Sequence, residues 1–306
     1  MLTFSKALIA LALDSSDRSV LSQAAGMVEL CSIGEVELLH VLNLPPNVDD
    51  ATTHQALKSC AEELDQVALE FKKMAPAGVQ VLSRVAEGRP FRIALLAAKD
   101  EGFDLICLGR ATYGPVSRLG TDAGTIIRKA PCSVFIVPQD SERFRKHILV
   151  PVDFSERCRE ALEFALGLAR KSGAKVTIDH VYEVPVGFHA TGKTFEEFAE
   201  SMRHNAEVAW QEFAEDLDLS GVEHTVRLDL DPQSHLSATH HAKRLNEVVN
   251  EIDPDLVVLA SQGRQGGAGL LLGSSAARLV SAAERPVLVL RRPGDNVSLL
   301  QALFHL

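Results

Sequence analysis

The chain repeats its own pattern, with a matching pair of aspartates 139 positions apart and a matching pair of histidines 140 positions apart, and this duplication constrains the fold more than any other feature of the sequence. An apolar run that ends in Asp14 and a serine returns as a second run that ends in Asp153 and a serine. Three further segments recur in the same order: Val36–Val41 as Val176–Val181, Phe103–Gly109 as Pro254–Ala260, and Ala130–Val137 as Arg285–Leu290. We therefore predict two tandem copies of one domain, residues 1–139 and 140–306, joined by the polar segment Pro138–Arg143.

Within each copy, short continuous runs of valine, isoleucine and leucine alternate with longer helical patterns. Strands that are buried on both faces of a parallel sheet have such sequences. We predict an α/β fold made of two tandem doubly wound domains. Ligands of these sheets bind outside the carboxyl ends of the strands, where the winding direction reverses. Asp153 and the loop after the fourth strand of the second copy are therefore expected to flank one site.

Composition and charge exclude several classes of protein. No apolar run approaches the roughly 18 residues of a membrane span, and the first residues lack the regions of a secretory signal. We therefore predict a cytoplasmic protein. A net charge of −10 without a basic block argues against binding to nucleic acid or to an acidic membrane. The five cysteines lack paired close spacing, which indicates neither a disulfide framework nor a zinc site.

A glycine loop follows the fourth predicted strand of the second copy. Ala260 ends that strand, Gly263 follows three residues later, and Gly273 comes after nine intervening residues, just before a helical segment. Unpaired backbone N–H groups and the helix dipole favour an anion at such a junction. The loop therefore predicts phosphate binding. The spacing of residues yields no acid–base pair or activated nucleophile, so we predict no catalytic residue.

Three motifs of the second copy, Val-Asp-x-Ser at Val152–Ser155, His-Val at His180-Val181 and the glycine loop, resemble the universal stress protein family. The resemblance covers nearly the whole chain as two tandem copies. It implies a five-stranded parallel sheet in each copy, of the adenine nucleotide alpha hydrolase-like type, and dimerisation through the last strand. A tandem chain can satisfy that pairing internally. We therefore expect an intramolecular pseudo-dimer of Val134–Val137 with Val287–Leu290, with a further homodimer left open.

The resemblance also implies a nucleotide site in the second copy. It places Val152, Asp153 and Val181 around the adenosine. Backbone N–H groups around the phosphates come from Gly263, Arg264, Gly273, Ser274 and Ser275. The implied ligand is ATP, AMP or ADP, accompanied by Mg²⁺. Ala260 stands where the family has its first glycine, and its methyl group either crowds a ribose or fits beside it.

The first copy departs from the loop pattern. Gly109 is present, but Thr112 takes the second glycine position. Gly109 lies 22 positions before the proline that precedes the next strand, against 26 for the matching residue of the second copy. Four missing residues reshape the loop, so we predict a degenerate first site. Arg110 and Thr121 remain candidates for contacting an anion in another geometry.

A second phosphate-type motif competes with the glycine loop. Gly187–Thr194 matches Gly-x4-Gly-Lys-Thr in full and lies between a strand and a helical stretch. Pro185 separates it from the strand, and Phe188 and His189 fill positions that are usually small. Three functions stay open. We favour a stress-response sensor or regulator that binds ATP or AMP, with weak ATPase activity at most; the alternatives are an interaction scaffold that binds no nucleotide and an ATPase built on Gly187–Thr194.

The histidines of the chain indicate structural roles. One cluster is formed by His224, His235, His240 and His241. No cysteine or close carboxylate completes a ligand set there, so we predict no metal site. His40 and His180 repeat at the end of the second strand of each copy. We expect both to form structural hydrogen bonds.

Overall fold

The structure, a computed structural model, describes residues 2–110, 121–144, 146–234, 240–262, 274–282, 284–292, 294–297 and 300–301. In these residues strands and helices alternate along the chain: β1 (Lys6–Leu11), α1 (Asp17–Cys31), β2 (Glu35–Leu42), α2 (Asp50–Met74), β3 (Gln80–Glu87), α3 (Pro90–Asp100), β4 (Leu105–Arg110), α4 (Thr121–Lys129), β5 (Ser133–Pro138), β6 (His147–Pro151), α5 (Glu156–Ser172), β7 (Lys175–Glu183), α6 (Phe195–Ala214), β8 (His224–Asp231), α7 (His240–Ile252), β9 (Leu256–Ala260), α8 (Ser274–Ala282) and β10 (Val287–Leu290). A 3-10 helix, Phe188–Thr191, lies between β7 and α6.

The elements divide into two compact units. The first unit combines Leu2–Phe144 with Glu284–Leu306, and the second unit consists of Arg145–Ala283. Strand β10 belongs to the second copy of the sequence, yet it packs within the first unit. The compact units therefore do not coincide with the two sequence copies at the C-terminal end.

In the first unit the strands follow the order β3-β2-β1-β4-β5-β10. Neighbouring strands from β3 to β5 run parallel, and β10 runs antiparallel to β5, with Val287 opposite Ile136 and Val289 opposite Val134. All six residues of β5 are buried, which explains its continuous apolar sequence.

In the second unit the strands follow the order β9-β6-β7-β8, and all of them run parallel. The chain winds outward from β6 to β7 and β8 and then returns to add β9 on the other side of β6. The winding therefore reverses between β6 and β9. With helices between parallel strands in both units, the predicted α/β doubly wound fold is confirmed.

A repeated aspartate aligns the start of each central strand pair. Asp104 accepts hydrogen bonds from the backbone N–H groups of Ser5 (2.8 Å) and Lys6 (3.0 Å). In the second unit Asp255 accepts from the N–H groups of Lys146 (2.7 Å) and His147 (3.0 Å). The recurring Asp-Leu pair of the sequence thus fixes the register of the fourth strand beside the first in both copies.

The cysteines are free thiols. Burial raises the pKa of Cys132 and Cys158 to about 12, which keeps both in the unreactive protonated form. Among the described residues, no helix combines the length and the apolar character needed to cross a membrane.

Candidate functional site

The carboxyl ends of β6 and β7 bring together the residues that the resemblance places around adenosine. Val152, directly after β6, donates its N–H to the carbonyl oxygen of Asp179 (2.8 Å). Its own carbonyl oxygen lies 2.8 Å from Nδ1 of His180, which therefore carries the proton. Val181 is the next residue of β7, and both valines are buried. The hydrogen bonds hold Val152 beside the end of β7, within two residues of Val181.

Asp153 forms the turn that leads from β6 into α5. Its Oδ1 accepts a hydrogen bond from the N–H of Ser155 (3.0 Å), and the Ser155 hydroxyl accepts one from the N–H of Cys158 (3.3 Å) at the start of the helix. The Asp-x-Ser motif therefore combines a tight turn with a helix cap. The turn fixes the Asp153 carboxylate at the point where the winding of the sheet reverses.

An aromatic cluster that the sequence did not reveal lies beside this turn. Phe154 adopts a left-handed backbone conformation, with φ of 60°. Its ring centroid lies 4.2 Å from that of His180 and 5.5 Å from that of Phe213 in α6. Positive φ is uncommon for a bulky residue. The only signal in the sequence was an aromatic residue inside the Asp-x-Ser turn.

The phosphate side of the predicted site is described in part. Strand β9 ends at Ala260, and the next residue, Ser261, is buried. Gly263, Arg264 and Gly273 lie outside the described residues. The backbones of Ser274 and Ser275 form the first turn of α8, while their side chains lie outside the described part. The N–H groups of that first turn carry the positive end of the helix dipole.

The first copy repeats the turn with a different set of contacts around it. Oδ1 of Asp14 accepts from the N–H of Ser16 (2.8 Å), as Asp153 does from Ser155. In addition, the Asp17 carboxylate accepts from the backbone N–H groups of Ala12 (3.0 Å) and Leu13 (2.7 Å). Burial raises the pKa of Asp17, although these hydrogen bonds act in the opposite direction. The backbone at the end of β1 is thus engaged by a carboxylate of its own chain.

The other candidates of the first copy are only partly visible. Arg110 ends β4 and is buried, and this burial lowers its pKa while the charge of Glu284 raises it. Thr121 begins α4, with its side chain outside the described part. Thr112 lies outside the described residues. The expected degenerate loop of the first copy therefore stays a prediction.

Backbone N–H groups within Gly187–Thr194 donate hydrogen bonds to carbonyl oxygens of the same segment. The N–H of Ala190 donates to the Gly187 carbonyl (3.0 Å), and the N–H of Gly192 donates to the His189 carbonyl (3.1 Å). Buried Phe188 packs with Phe195 in the local apolar cluster. A phosphate cradle needs outward-pointing N–H groups, and here several of them close a 3-10 turn.

The two polar side chains of that motif are also engaged. The Thr194 hydroxyl accepts from the N–H of Glu197 (3.2 Å), whose carboxylate accepts from the N–H of Thr194 (2.9 Å). This reciprocal pair is a capping box for α6. The Lys193 ammonium donates to the Ser201 hydroxyl (3.1 Å). The segment is therefore built as a helix start, which weakens the ATPase alternative.

Most of the histidine cluster of the second copy lies outside the described residues. Nδ1 of His224 lies 3.0 Å from the carbonyl oxygen of Val222. His235 lies outside the described residues, as do the side chains of His240 and His241. Across the part of the chain that is described, no group of three potential metal ligands comes together. By contrast, the structural hydrogen bonds expected of the repeated histidines are present, since His40 Nδ1 lies 3.0 Å from the Leu11 carbonyl oxygen.

Comparison with known proteins accounts for both copies. The sequence pattern of the universal stress protein family matches residues 3–138 and again residues 145–291. The chain belongs to the universal stress protein family. The two matches confirm the tandem arrangement that the internal repeat predicted. Family membership by itself leaves the ligand of this chain open.

Individual relatives agree with this assignment. A universal stress protein of Methanocaldococcus jannaschii is 29% identical over 158 residues, which cover 51% of this chain and 87% of that protein. A universal stress protein of Mycobacterium tuberculosis is 26% identical over 198 residues, or 62% of each chain. The crystal structure of a universal stress protein from Archaeoglobus fulgidus, at 22% identity, matches with a TM-score of 0.68 over 97% of this chain and 100% of that one. This last similarity supports the fold.

Proposed function

We propose that the second copy of this universal stress protein binds an adenine nucleotide, ATP or else AMP or ADP, together with Mg²⁺. The observation that carries the proposal is the convergence of Val152, Asp153 and Val181 at the carboxyl ends of β6 and β7. The Val152 backbone is hydrogen-bonded there to both Asp179 and His180. This edge is where the winding reverses, and sheets of this type bind ligands at such an edge.

The chemistry of these residues suits a nucleoside phosphate. Backbone groups of Val181 can pair with a base edge, and the Asp153 carboxylate can accept hydrogen bonds from ribose hydroxyls. The loop after β9 supplies Gly263, Arg264 and Gly273, and the first turn of α8 supplies N–H groups to the phosphates. An arginine beside phosphate forms charge-assisted hydrogen bonds.

The proposed role is that of a cytoplasmic sensor or regulator in a stress response. A protein that binds nucleotide and hydrolyses it weakly at most reports nucleotide concentration through its occupancy. We assign this role to the copy at residues 140–306. The copy at residues 1–139 carries the altered loop. In that copy the Asp17 carboxylate also accepts the backbone N–H groups of Ala12 and Leu13, directly after β1.

We also propose that the two copies form an intramolecular pseudo-dimer through their last strands. The support is the antiparallel pairing of β5 with β10, in which Leu288 lies opposite Phe135. Both strands are continuous apolar runs, which would otherwise expose an edge to solvent. The pairing leaves a further homodimer open to measurement by sedimentation.

The test is isothermal titration of the full chain with ATP and Mg²⁺. We expect binding that Asp153→Ala weakens about tenfold or more, because a charged hydrogen-bond partner is lost. Asp14→Ala is the matched control: it removes the same Asp-x-Ser turn from the first copy and should leave affinity unchanged. Absence of heat at millimolar nucleotide would overturn the proposal and favour the scaffold alternative. Equal loss in both variants would place the site elsewhere.

A further inference from the structure

A carboxyl group lies buried in the middle of the second unit. Asp179 occupies β7 in register between Pro151 of β6 and Arg227 of β8, and its side chain is 0% exposed. Neither of its carboxyl oxygens accepts a hydrogen bond from an N–H or O–H donor among the described residues. An ionised carboxylate in such a place is costly unless it is paired and hydrogen-bonded.

The arginines nearby are already engaged with other acids. Arg227 Nε is 4.0 Å from Asp179 Oδ1, beyond hydrogen-bond range. Its terminal nitrogen lies instead 2.6 Å from Asp229 and 3.1 Å from Glu251. Arg244 of α7 lies 2.6 Å from Glu251 and 3.7 Å from Asp229. Within the described part of the chain, Asp179 therefore forms no hydrogen bond with either arginine and has only the longer ion pair with Arg227.

Asp229 is the group best placed to share a proton with Asp179. Asp229 lies two residues beyond Arg227 on β8, on the same face of the sheet, and both carboxyl groups approach the Arg227 side chain, Asp229 at 2.6 Å and Asp179 at 4.0 Å. Burial, and after it the neighbouring Asp229, raise the pKa of Asp179, while Arg227 and Arg244 act in the opposite direction. Among the described residues, the charged and titratable groups that face this pair are Arg227 on β8, Arg244, Glu247 and Glu251 on α7, and His147 on β6, which bonds Thr177 on the same face of β7.

We propose that Asp179 and Asp229 hold one proton between them at neutral pH and that loss of this proton at alkaline pH weakens the packing of α7 on the sheet of the second unit. The proton goes to solvent, and the charge of the pair changes from −1 to −2. Two neighbouring carboxylates repel each other, and Arg227 and Arg244 offset part of the added charge.

The first unit differs at the matching position. Leu39 stands opposite Arg84 in the sheet, as Asp179 stands opposite Arg227. Arg84 pairs with Glu37 (2.5 Å) and Glu101 (2.7 Å). In each unit this arginine thus pairs with two acidic side chains. The buried carboxyl of the first unit, Glu37, is paired directly by Arg84, whereas the buried Asp179 of the second unit lies 4.0 Å from its arginine.

Asp179 and Asp229 lie close to the proposed nucleotide site, but the proposal about their shared proton does not depend on nucleotide binding. The Asp179 carbonyl accepts the N–H of Val152, and Val181 lies two residues on, on the same face of β7. The proposal concerns the protein without nucleotide, so its tests need no ligand. Failure of nucleotide binding would leave it untouched.

Infrared difference spectroscopy across pH tests for the proton directly. At pH 6 the wild-type chain should show a protonated carboxylic C=O band that is missing from Asp179→Asn, and the band should disappear with a midpoint well above the ordinary pKa of an aspartate. Asp229→Asn should move that midpoint to lower pH, because the like charge that raises it is gone. A wild-type spectrum identical to that of Asp179→Asn from pH 5 to pH 10 would overturn the proposal.

Stability measurements supply a second readout. The single tryptophan, Trp210, lies in α6 of the second unit, so its fluorescence reports unfolding there. The folded state holds the proton more tightly than the unfolded chain, whose aspartates titrate near about pH 4. Wild-type stability should therefore fall from pH 5 to pH 9. The asparagine of Asp179→Asn is neutral throughout and similar in shape, so the stability of this variant should decrease less between pH 5 and pH 9. An identical pH dependence of stability in both proteins would contradict the proposal.

Discussion

The two copies begin with the same Asp-x-Ser turn and then treat the adjoining backbone differently. In the first copy the Asp17 carboxylate turns inward and accepts N–H groups of the chain after β1. The matching residue of the second copy, Glu156, is 72% exposed and lies 4.0 Å from Arg159. One methylene separates the two side chains, yet one engages the strand end and the other faces solvent. The two copies thus keep the same strands and the same turn, while in the first copy the Asp17 carboxylate lies against the carboxyl end of β1.

A second difference lies on the face of each sheet where charges are buried. The first unit places Leu39 opposite an arginine that is paired with two glutamates. The second unit places Asp179 there and surrounds it with a larger network. The same strand position thus carries an arginine that pairs directly with two glutamates in the first unit and an arginine that lies 4.0 Å from a buried carboxyl in the second.

The strongest test of this comparison transfers the buried acid to the first unit. Leu39→Asp should destabilise the first unit by roughly 4 kcal/mol at pH 8, because it removes a buried apolar side chain and buries a charge that Arg84 is not free to pair. The loss should be smaller at pH 5, where the new carboxyl is protonated. Hydrogen exchange of β2 peptides measures the change; equal losses at both pH values would contradict the transfer of pH sensitivity.

The inward carboxylate of the first copy is the next target. Asp17→Asn should lower the free energy of unfolding by about 1–3 kcal/mol, because backbone N–H groups lose a charged acceptor. Glu156→Gln, the matched control, should change stability by less than about 0.5 kcal/mol, since its side chain is exposed. Urea unfolding followed by circular dichroism compares the two variants. Similar losses would mean that Glu156 also supports its strand end.

The repeated histidines separate the copies more finely. His180→Ala should cost about 1–2 kcal/mol, because it removes the bond to the Val152 carbonyl and the contact with Phe154. His40→Ala, which removes only the bond to the Leu11 carbonyl, should cost about 1 kcal/mol. If nucleotide binds as proposed, His180→Ala alone should weaken it. Urea unfolding and nucleotide titration of both variants measure these effects. Equal losses of stability and of affinity in the two variants would mean that the histidines have the same role in both copies.

The smallest effect is expected at the phosphate-loop-like motif. Lys193→Ala should leave ATP affinity within about twofold and stability within about 0.5 kcal/mol, because Lys193 is exposed and its ammonium donates to the half-buried Ser201. Calorimetric titration with ATP measures the affinity of Lys193→Ala, and the loss of affinity in Asp153→Ala is the reference for comparison. Loss of binding with Lys193→Ala alone would revive the ATPase alternative.

Several parts of the site were accessible from the sequence. The repeat located Asp153 and His180, the strand pattern placed Asp153 at the end of the first strand of the second copy, and the family resemblance supplied Val152 and Val181. The inward turn of Asp17 was not accessible, because an acidic residue in the first turn of a helix is equally typical of an exposed position. Buried Asp179 was hidden for a similar reason: one acid within an apolar strand gives no indication of its neighbours.

By itself the sequence determined the duplication and the alternation of strands and helices, since these depend on recurrence and periodicity along the chain, and its motifs were enough to show the resemblance to the family. Only the tertiary structure decided that β10 packs within the first unit, that the Asp17 carboxylate accepts N–H groups, and that Asp179 is buried beside Arg227. The physical reason is that the free energy of a polar group depends on the partners that replace water around it. Strand register and helix packing bring those partners from distant parts of the sequence.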